Sequence, residues 1–265
     1  MSVQPVNGNF AAGLFDLRGR NALVTGASGG LGRHFALVLA KAGASVAVGA
    51  RRADKLAELV EEISAAGGHA VAVGMDVSSR DSIAAALDEA AGELGTLDVI
   101  VNNAGVTATK RVLDYTDEDW DAVMDTNLRG AWIVAQEAAK RLSAANQPGS
   151  IINISSIYSS RVSPGLVPYT VSKAGVKQLT RVLALEFAKF GIRVNAIAPG
   201  YIATDLNRDF LASDAGQRLR GRVPVQRFGE EHELDGALLL LASKAGAYIN
   251  GSEIVVDGGH LCNTL

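Results

Sequence analysis

The sequence predicts a doubly wound α/β fold, a single seven-stranded parallel sheet with helices on both faces. From Asn21 onward, short apolar runs rich in β-branched residues alternate with longer stretches of helical periodicity, which is how successive βαβ units read in a sequence. Within the short runs, apolar residues stand side by side rather than at every second position, as they do in strands covered on both faces. With 265 residues, 48% of them hydrophobic, the chain can bury one core large enough for such a sheet.

Taken in order, Met1 to about Phe15 is polar and Gly-containing and is expected to form a loosely packed arm, residues 1–16, ahead of one domain over 17–265. Asn21 to Thr25 (NALVT) and Ser45 to Ala50 (SVAVGA) are the first two strands. The helix between them, Leu31 to Ala42, repeats its apolar residues every three or four positions. Asp54 to Ala66, rich in good helix formers, leads to a strand at Ala70 to Met75. Arg80 to Glu93 and the strand Val99 to Asn102 repeat the unit. A long helix is expected over Glu118 to Ser143, capped by Thr116 with Asp119 three residues on. The strand Ser150 to Ser155 precedes a helix over Tyr169 to Phe190, for which Pro168 suits the first turn. Arg193 to Ala198 is a strand, Glu231 to Ala242 a helix and Ile254 to Val256 the last strand. Tyr201 to Phe228 shows no clean strand pattern and is expected to be a long functional loop or lid.

The first strand runs into Thr25-Gly26-Ala27-Ser28-Gly29-Gly30-Leu31-Gly32 and then a helix. Glycine lets the backbone turn tightly and approach a pyrophosphate, whose charge the unpaired N–H groups of a helix N-terminus stabilise. Strand, turn and helix together predict a dinucleotide site of the Rossmann type, with Gly26, Ser28, Gly30, Leu31 and Gly32 against the cofactor. A glycine cluster taken alone is equally a tight structural turn. Cofactor choice is set where the second strand ends, since an acidic residue there selects a free ribose 2′-OH and a basic one tolerates a 2′-phosphate. Ala50 is followed by Arg51 and Arg52, with no Asp or Glu between the glycine motif and Asp54. NADP(H) is therefore favoured over NAD(H), with Arg51 the nearer to the strand end. An ordinary solvated arginine pair is the alternative.

Tyr169 and Lys173 stand four apart at the start of a helix, so their side chains share a face. A free tyrosine titrates near pH ~10, and a neighbouring ammonium with an oxidised nicotinamide is expected to favour the phenolate, making Tyr169 an acid–base group. A YxxxK string by itself usually marks a surface pair. Ser156, 13 residues earlier, follows the strand IINISS at the same carboxyl edge as the glycine turn, where a hydroxyl can hold a carbonyl oxygen or developing alkoxide. Ser155 is read as the strand-end hydrogen-bonder.

With TGxxxGxG at 25–32, Asn102-Asn103-Ala104-Gly105, Ser156, Tyr169 and Lys173 in this order, the chain resembles the short-chain dehydrogenase/reductase family from Leu17 to Gly259. The resemblance implies a carbonyl reductase or alcohol dehydrogenase. Hydride would pass between the nicotinamide C4 and a carbonyl carbon while Ser156 polarises the oxygen, Tyr169 supplies the proton and Lys173 also binds the nicotinamide ribose. It implies further that Asp76 and Val77 line the adenine pocket and that Asn103, Ala104 and Gly105 border the cofactor. Pro199, Gly200, Ile202 and Thr204 would contact its carboxamide and phosphates. Asn127 would kink its helix and hold a water linking Lys173 to solvent. The alternatives are a strand-end cap for Asp76 and a plain mid-helix residue for Asn127, though asparagine is a poor helix former. Similar enzymes act on sugar acids, 3-oxoacyl groups and steroids, and are tetramers joined through the helices of Asn127 and Tyr169 and the last strand. A homotetramer is accordingly expected, with Trp120 and Trp132 as packing or subunit-contact residues.

Substrate choice is expected to lie with Ile157, Tyr158, Arg161, Val162, Leu166, Val167, Tyr201, Leu206 and Phe210. These are mostly apolar, which suits a hydrophobic or aromatic ketone, while Arg161 and Arg208 suit a carboxylate or a phosphopantetheine. A sugar-nucleotide epimerase or dehydratase shares Tyr and Lys but is similar to TGxxGxxG and has a longer C-terminal part. A non-catalytic NADP(H)-sensing protein would tend to lose Ser, Tyr or Lys. An enoyl reductase would need a wider Tyr to Lys spacing.

The net charge of −3 and the scatter of basic residues leave no footprint for nucleic acid. His34, His69, His232 and His260 form no cluster at ligand spacing, and Cys262 is the sole cysteine, so no metal is expected. No stretch approaches the roughly 20 consecutive apolar residues of a membrane span. The N-terminus lacks a basic start followed by an apolar run, and a cytoplasmic enzyme is the expectation. Glu230-Glu231-His232-Glu233 reads as an acidic helix start rather than a catalytic pair.

Overall fold

A computed structural model describes residues 10–204 and 208–262. After a short helix, α1 (Phe10–Leu14), come β1 (Asn21–Thr25), α2 (Gly30–Lys41), β2 (Ser45–Ala50), α3 (Ala53–Ala65), β3 (His69–Gly74), α4 (Arg80–Leu94) and β4 (Val99–Asn102). The second half holds α5 (Asp117–Met124), α6 (Gly130–Ala144), β5 (Gly149–Ile154), α7 (Val167–Phe187), β6 (Ile192–Pro199), β7 (Ile202–Ala203), α8 (Arg208–Ala212), α9 (Asp214–Arg220), β8 (Gly229–Glu230), α10 (Asp235–Ala242) and β9 (Glu253–Val256). The seven expected strands form one sheet in the order β3-β2-β1-β4-β5-β6-β9, every neighbouring pair parallel. No strand end moves by more than one residue from the sequence reading.

Side chains alternate across the sheet into two cores. Val24, Val48, Val101 and Ile152 face α2, α3 and α10 through Phe35, Leu39, Leu59 and Leu238. Leu23, Ile100, Ile151 and Val194 face α4, α6 and α7 through Ile83, Leu87, Ile133 and Leu183. The strand order turns back between β1 and β4, so the crevice above their carboxyl ends is left open by diverging connections, the place where open α/β sheets bind ligands.

Three expectations are corrected. The helix expected over Glu118 to Ser143 is interrupted by a π-turn at Asp125–Arg129, because Asn127 turns its side chain out of the ladder to bond Val106. Its start is as read, with Thr116 and Asp119 capping one another. The segment Tyr201 to Phe228 is not a structureless loop: it holds β7, which pairs with β8, and the helices α8 and α9. Residues 10–14 of the expected arm are helical, while residues 1–9 lie outside the described residues. At the sheet edge, Glu253 of β9 binds α7 and the turn after β5, accepting from Lys177 Nζ at 2.9 Å and Ser159 Oγ at 2.8 Å.

Candidate active site

A cavity of about 1010 Å³ opens over the carboxyl ends of β1, β4, β5 and β6. At one end Gly26, Ser28, Gly29, Gly30 and Leu31 line it where β1 passes into α2, whose N-terminus has no side-chain cap. Its first N–H groups have no intrahelical partner and are available to an anion. Gly26 turns the chain with φ +67°, a conformation that side chains disfavour. Gly32, expected against the cofactor, does not line the cavity: it lies beneath the turn, where a Cβ would stand 2.4 Å from both Asn103 Nδ2 and Gly26 O. Its glycine lets the helix pass close under β4. Asn103 locks this junction by donating from Nδ2 to Thr25 O at 3.0 Å, and Thr25 Oγ1 receives the N–H groups of Asn103 and Ala104.

Toward the adenosine end, Ala50, Arg51, Arg52, Met75, Asp76, Val77 and Ser78 line the cavity. Arg52 spends its guanidinium on Ser28, reaching Ser28 O and Oγ at 3.0 Å. Arg51 makes no hydrogen bond among the described residues. Asp76 Oδ1 accepts from the Ser78 N–H and hydroxyl at 2.9 and 2.7 Å, and these bonds hold its carboxyl below the usual range. The aspartate therefore caps the strand end and borders the cavity at once.

At the opposite end Ser156, Tyr169 and Lys173 line the same cavity. β5 delivers Ser156 and the first turns of α7 deliver the other two. Ser156 Oγ accepts the Tyr158 N–H at 3.2 Å, which leaves its own proton to donate. Lys173 is buried and gives Nζ to Ile154 O at 2.7 Å, 5.6 Å from the Tyr169 ring centroid. Burial pushes its ammonium down to about 8. Burial also raises Tyr169, with a Ser156 hydrogen bond acting in the opposite sense. The lowering expected from Lys173 does not show in the chain by itself; desolvation of the phenolate is the dominant influence, and Tyr169 holds its proton at neutral pH.

Asn127 is 1% exposed and is not on the cavity wall. Its Oδ1 accepts from Val106 N at 2.8 Å, and its Nδ2 donates to Val106 O at 2.9 Å and Ser172 Oγ at 3.1 Å. Ser172 in turn donates to Tyr169 O at 2.7 Å, so Asn127 ties the β4 loop to the first turn of α7. Ala104, Gly105, Pro199, Gly200, Ile202 and Thr204 complete the lining between the two ends. Ser155 also lines it, with a buried Oγ that has no hydrogen-bond partner. The uncapped helix and this orphaned hydroxyl fit an extended polar cofactor along the floor.

The substrate side is more hydroxylic than the sequence suggested. Tyr158, Leu166 and Tyr201 line the cavity as expected, joined by Thr107, Thr109 and Ser163. Ile157 is buried and Val162 is exposed; neither they nor Val167 lie on the wall. Arg161 points away, donating to His260 O. Leu206 and the side chains of Arg208 and Phe210 lie outside the described residues. The threonines carried no signal in the sequence, because their loop has no periodicity to place them. Among the described residues no group of His, Cys, Asp and Glu side chains is placed to hold a metal, and no helix is long and apolar enough to cross a membrane.

Comparison with known proteins gives a consistent picture. A family model described as enoyl-(acyl carrier protein) reductase matches residues 26–260. The chain is 40% identical over 248 residues to the 2-dehydro-3-deoxy-D-gluconate 5-dehydrogenase of Escherichia coli, covering 93% of this chain and 97% of that protein. It is 39% identical over 241 residues to a 3-oxoacyl-(acyl-carrier-protein) reductase of Staphylococcus aureus, with 91% and 97% covered. The crystal structure of a gluconate 5-dehydrogenase from Burkholderia cenocepacia, in complex with NADP and tartrate, superposes with a TM-score of 0.91 at 37% identity, over 96% of this chain and 100% of that one.

Proposed function

The chain belongs to the short-chain dehydrogenase/reductase family and is an NADP(H)-dependent oxidoreductase of ketones and secondary alcohols, and from that premise we propose that Ser156, Tyr169 and Lys173 carry its chemistry. When bound, NADPH supplies the hydride that ends on the carbonyl carbon. Ser156 donates its O–H to the carbonyl oxygen, and Tyr169, protonated at neutral pH, gives that oxygen its proton. Lys173, anchored on Ile154 O beside the Tyr169 ring, would hold the nicotinamide ribose. Holding the reacting atoms in a fixed pose removes much of the entropic barrier. The observation that carries this reading is the meeting of Ser156, Tyr169 and Lys173 on one wall of a cavity whose other end is an uncapped glycine turn.

Arg51 is proposed to receive the 2′-phosphate, since Arg52 is engaged by Ser28 while Arg51 lines the cavity without a hydrogen bond among the described residues. We also propose a homotetramer, supported by the exposed apolar residues of α5, α6, α7 and β9, and a cytoplasmic setting, which suits the single exposed cysteine, Cys262.

The test follows NADPH and NADH consumption separately against aryl ketones, 2-keto sugar acids and 3-oxoacyl thioesters. Turnover with NADPH that falls about 10²- to 10⁴-fold in Tyr169→Phe, with cofactor binding retained, is the expected outcome. Undiminished turnover in that variant would remove Tyr169 from the mechanism.

A further inference from the structure

Tyr158 and Tyr201 come from the turn after β5 and the segment after β6, yet their hydroxyl oxygens meet at 2.5 Å and both residues line the cavity. The Tyr158 ring stands edge-on to Tyr169 with centroids 6.2 Å apart, which puts the pair beside the proton donor. Tyr201 is fixed from behind, its ring 6.2 Å from Phe228 and 5.8 Å from His260, and Arg161 holds the His260 carbonyl. The Tyr158 N–H is itself the partner of Ser156 Oγ, so the pair and the carbonyl-binding serine move as one unit.

Each phenol has a single proton. Whichever of the two donates, one O–H is consumed between the oxygens and the other is left to a ligand, together with the remaining lone pairs. An enclosed donor without an acceptor is unfavourable, and a site built to bond a hydroxyl discriminates against the analogue that lacks it. Thr107, Thr109 and Ser163 add further hydroxyls to the lining of the same cavity, among Val106, Pro164 and Leu166. An alkyl or acyl chain would have to desolvate these groups without replacing their bonds.

Resting on the oxidoreductase reading above, we propose that the Tyr158–Tyr201 phenol pair is the specificity element of the substrate side, and that it selects a polyhydroxylated carbonyl compound by bonding a hydroxyl near the reacting carbon. A neutral keto-sugar and a keto acid of the sugar series share that chemistry.

The experiment measures kcat and KM with NADPH for matched pairs, each a polyhydroxylated ketone and its deoxy analogue, in a neutral and a carboxylated version, with a 3-oxoacyl thioester as comparison. Wild type, Tyr158→Phe and Tyr201→Phe are compared, and melting temperatures report folding. Wild type is expected to favour the hydroxylated member, and Tyr158→Phe to shrink that preference about 10- to 100-fold, mainly through KM. Tyr201→Phe shifts it in the same direction. The carboxylated and neutral arms decide which source of hydroxyls is the better substrate. A merely structural role would lower both members of a pair alike, and an unchanged ratio overturns the inference, as does a wild-type preference for the deoxy member or the thioester. Absence of NADPH turnover with every substrate, or full activity in Tyr169→Phe, would instead sink the underlying oxidoreductase mechanism and this inference with it.

Discussion

An ammonium that is 5% exposed and held by one backbone carbonyl, Ile154 O at 2.7 Å, is costly to keep charged, which is why burial brings Lys173 down to about 8. An unfolded lysine titrates near ~10.4. Between these values the unfolded chain binds more protons, so stability rises with pH there; below about 8 both states are protonated and the burial cost is fully present. Urea unfolding at about pH 7 and about pH 9.5 should thus show wild type gaining on Lys173→Met as the pH rises. A constant gap would mean that the ammonium is stabilised in place. Arg51→Ala is expected to raise the KM for NADPH about 10- to 100-fold through loss of a charge-assisted bond, with little effect on NADH; equal effects on both cofactors would reassign the 2′-phosphate to Arg52. That Ser156, Tyr169 and Lys173 line one cavity was foreseeable, since helix geometry puts residues 169 and 173 on one face and the family resemblance pointed to Ser156 at the end of its strand. The Tyr158–Tyr201 contact was not, since the partners lie 43 positions apart and only the packed loops bring them together.

At the scale of elements, the π-turn at Asp125–Arg129 is where the helix ladder gives way to a side chain. Asn127 replaces lost intrahelical order with its bonds to Val106 and Ser172. Asn127→Ala should destabilise the fold by about 1–3 kcal/mol and lower kcat by loosening the start of α7; a change in stability without any change in kcat would show that the tie does not position Tyr169. Sequence patterning gave the helix and its Thr116 cap but no break, because one inserted residue shifts the apolar period too little to stand out. The seven strands were readable for the opposite reason: short, β-branched-rich apolar runs bounded by glycine or polar turns are too brief for helices and recur between helical stretches. β7 and β8, two residues each, are too short to carry any period, so their pairing emerged only in three dimensions.

For the molecule as a whole, Trp120 and Trp132 stand partly exposed on α5 and α6, Val171, Val182 and Leu185 on α7, and Val255 on the edge strand, with Leu185 at 78%. On the proposed homotetramer these exposed apolar residues are the expected subunit contacts. Light scattering behind gel filtration should give a particle of four 27.5 kDa chains, and Leu185→Glu should lower that mass at micromolar concentration. A monomeric wild type would show that these faces remain bare. The parallel sheet also imposes an order of assembly. β6 at Ile192–Pro199 pairs with β9 at Glu253–Val256, the last of the sheet's described strands to be synthesised, and Glu253 brings the partner that steadies both α7 through Lys177 and the turn behind Ser156 through Ser159. While N-terminal units can settle during synthesis, Tyr169 and Ser156 sit on elements that lack this clamp until Glu253 is in place, so oxidoreductase activity is expected only once β9 has joined the sheet.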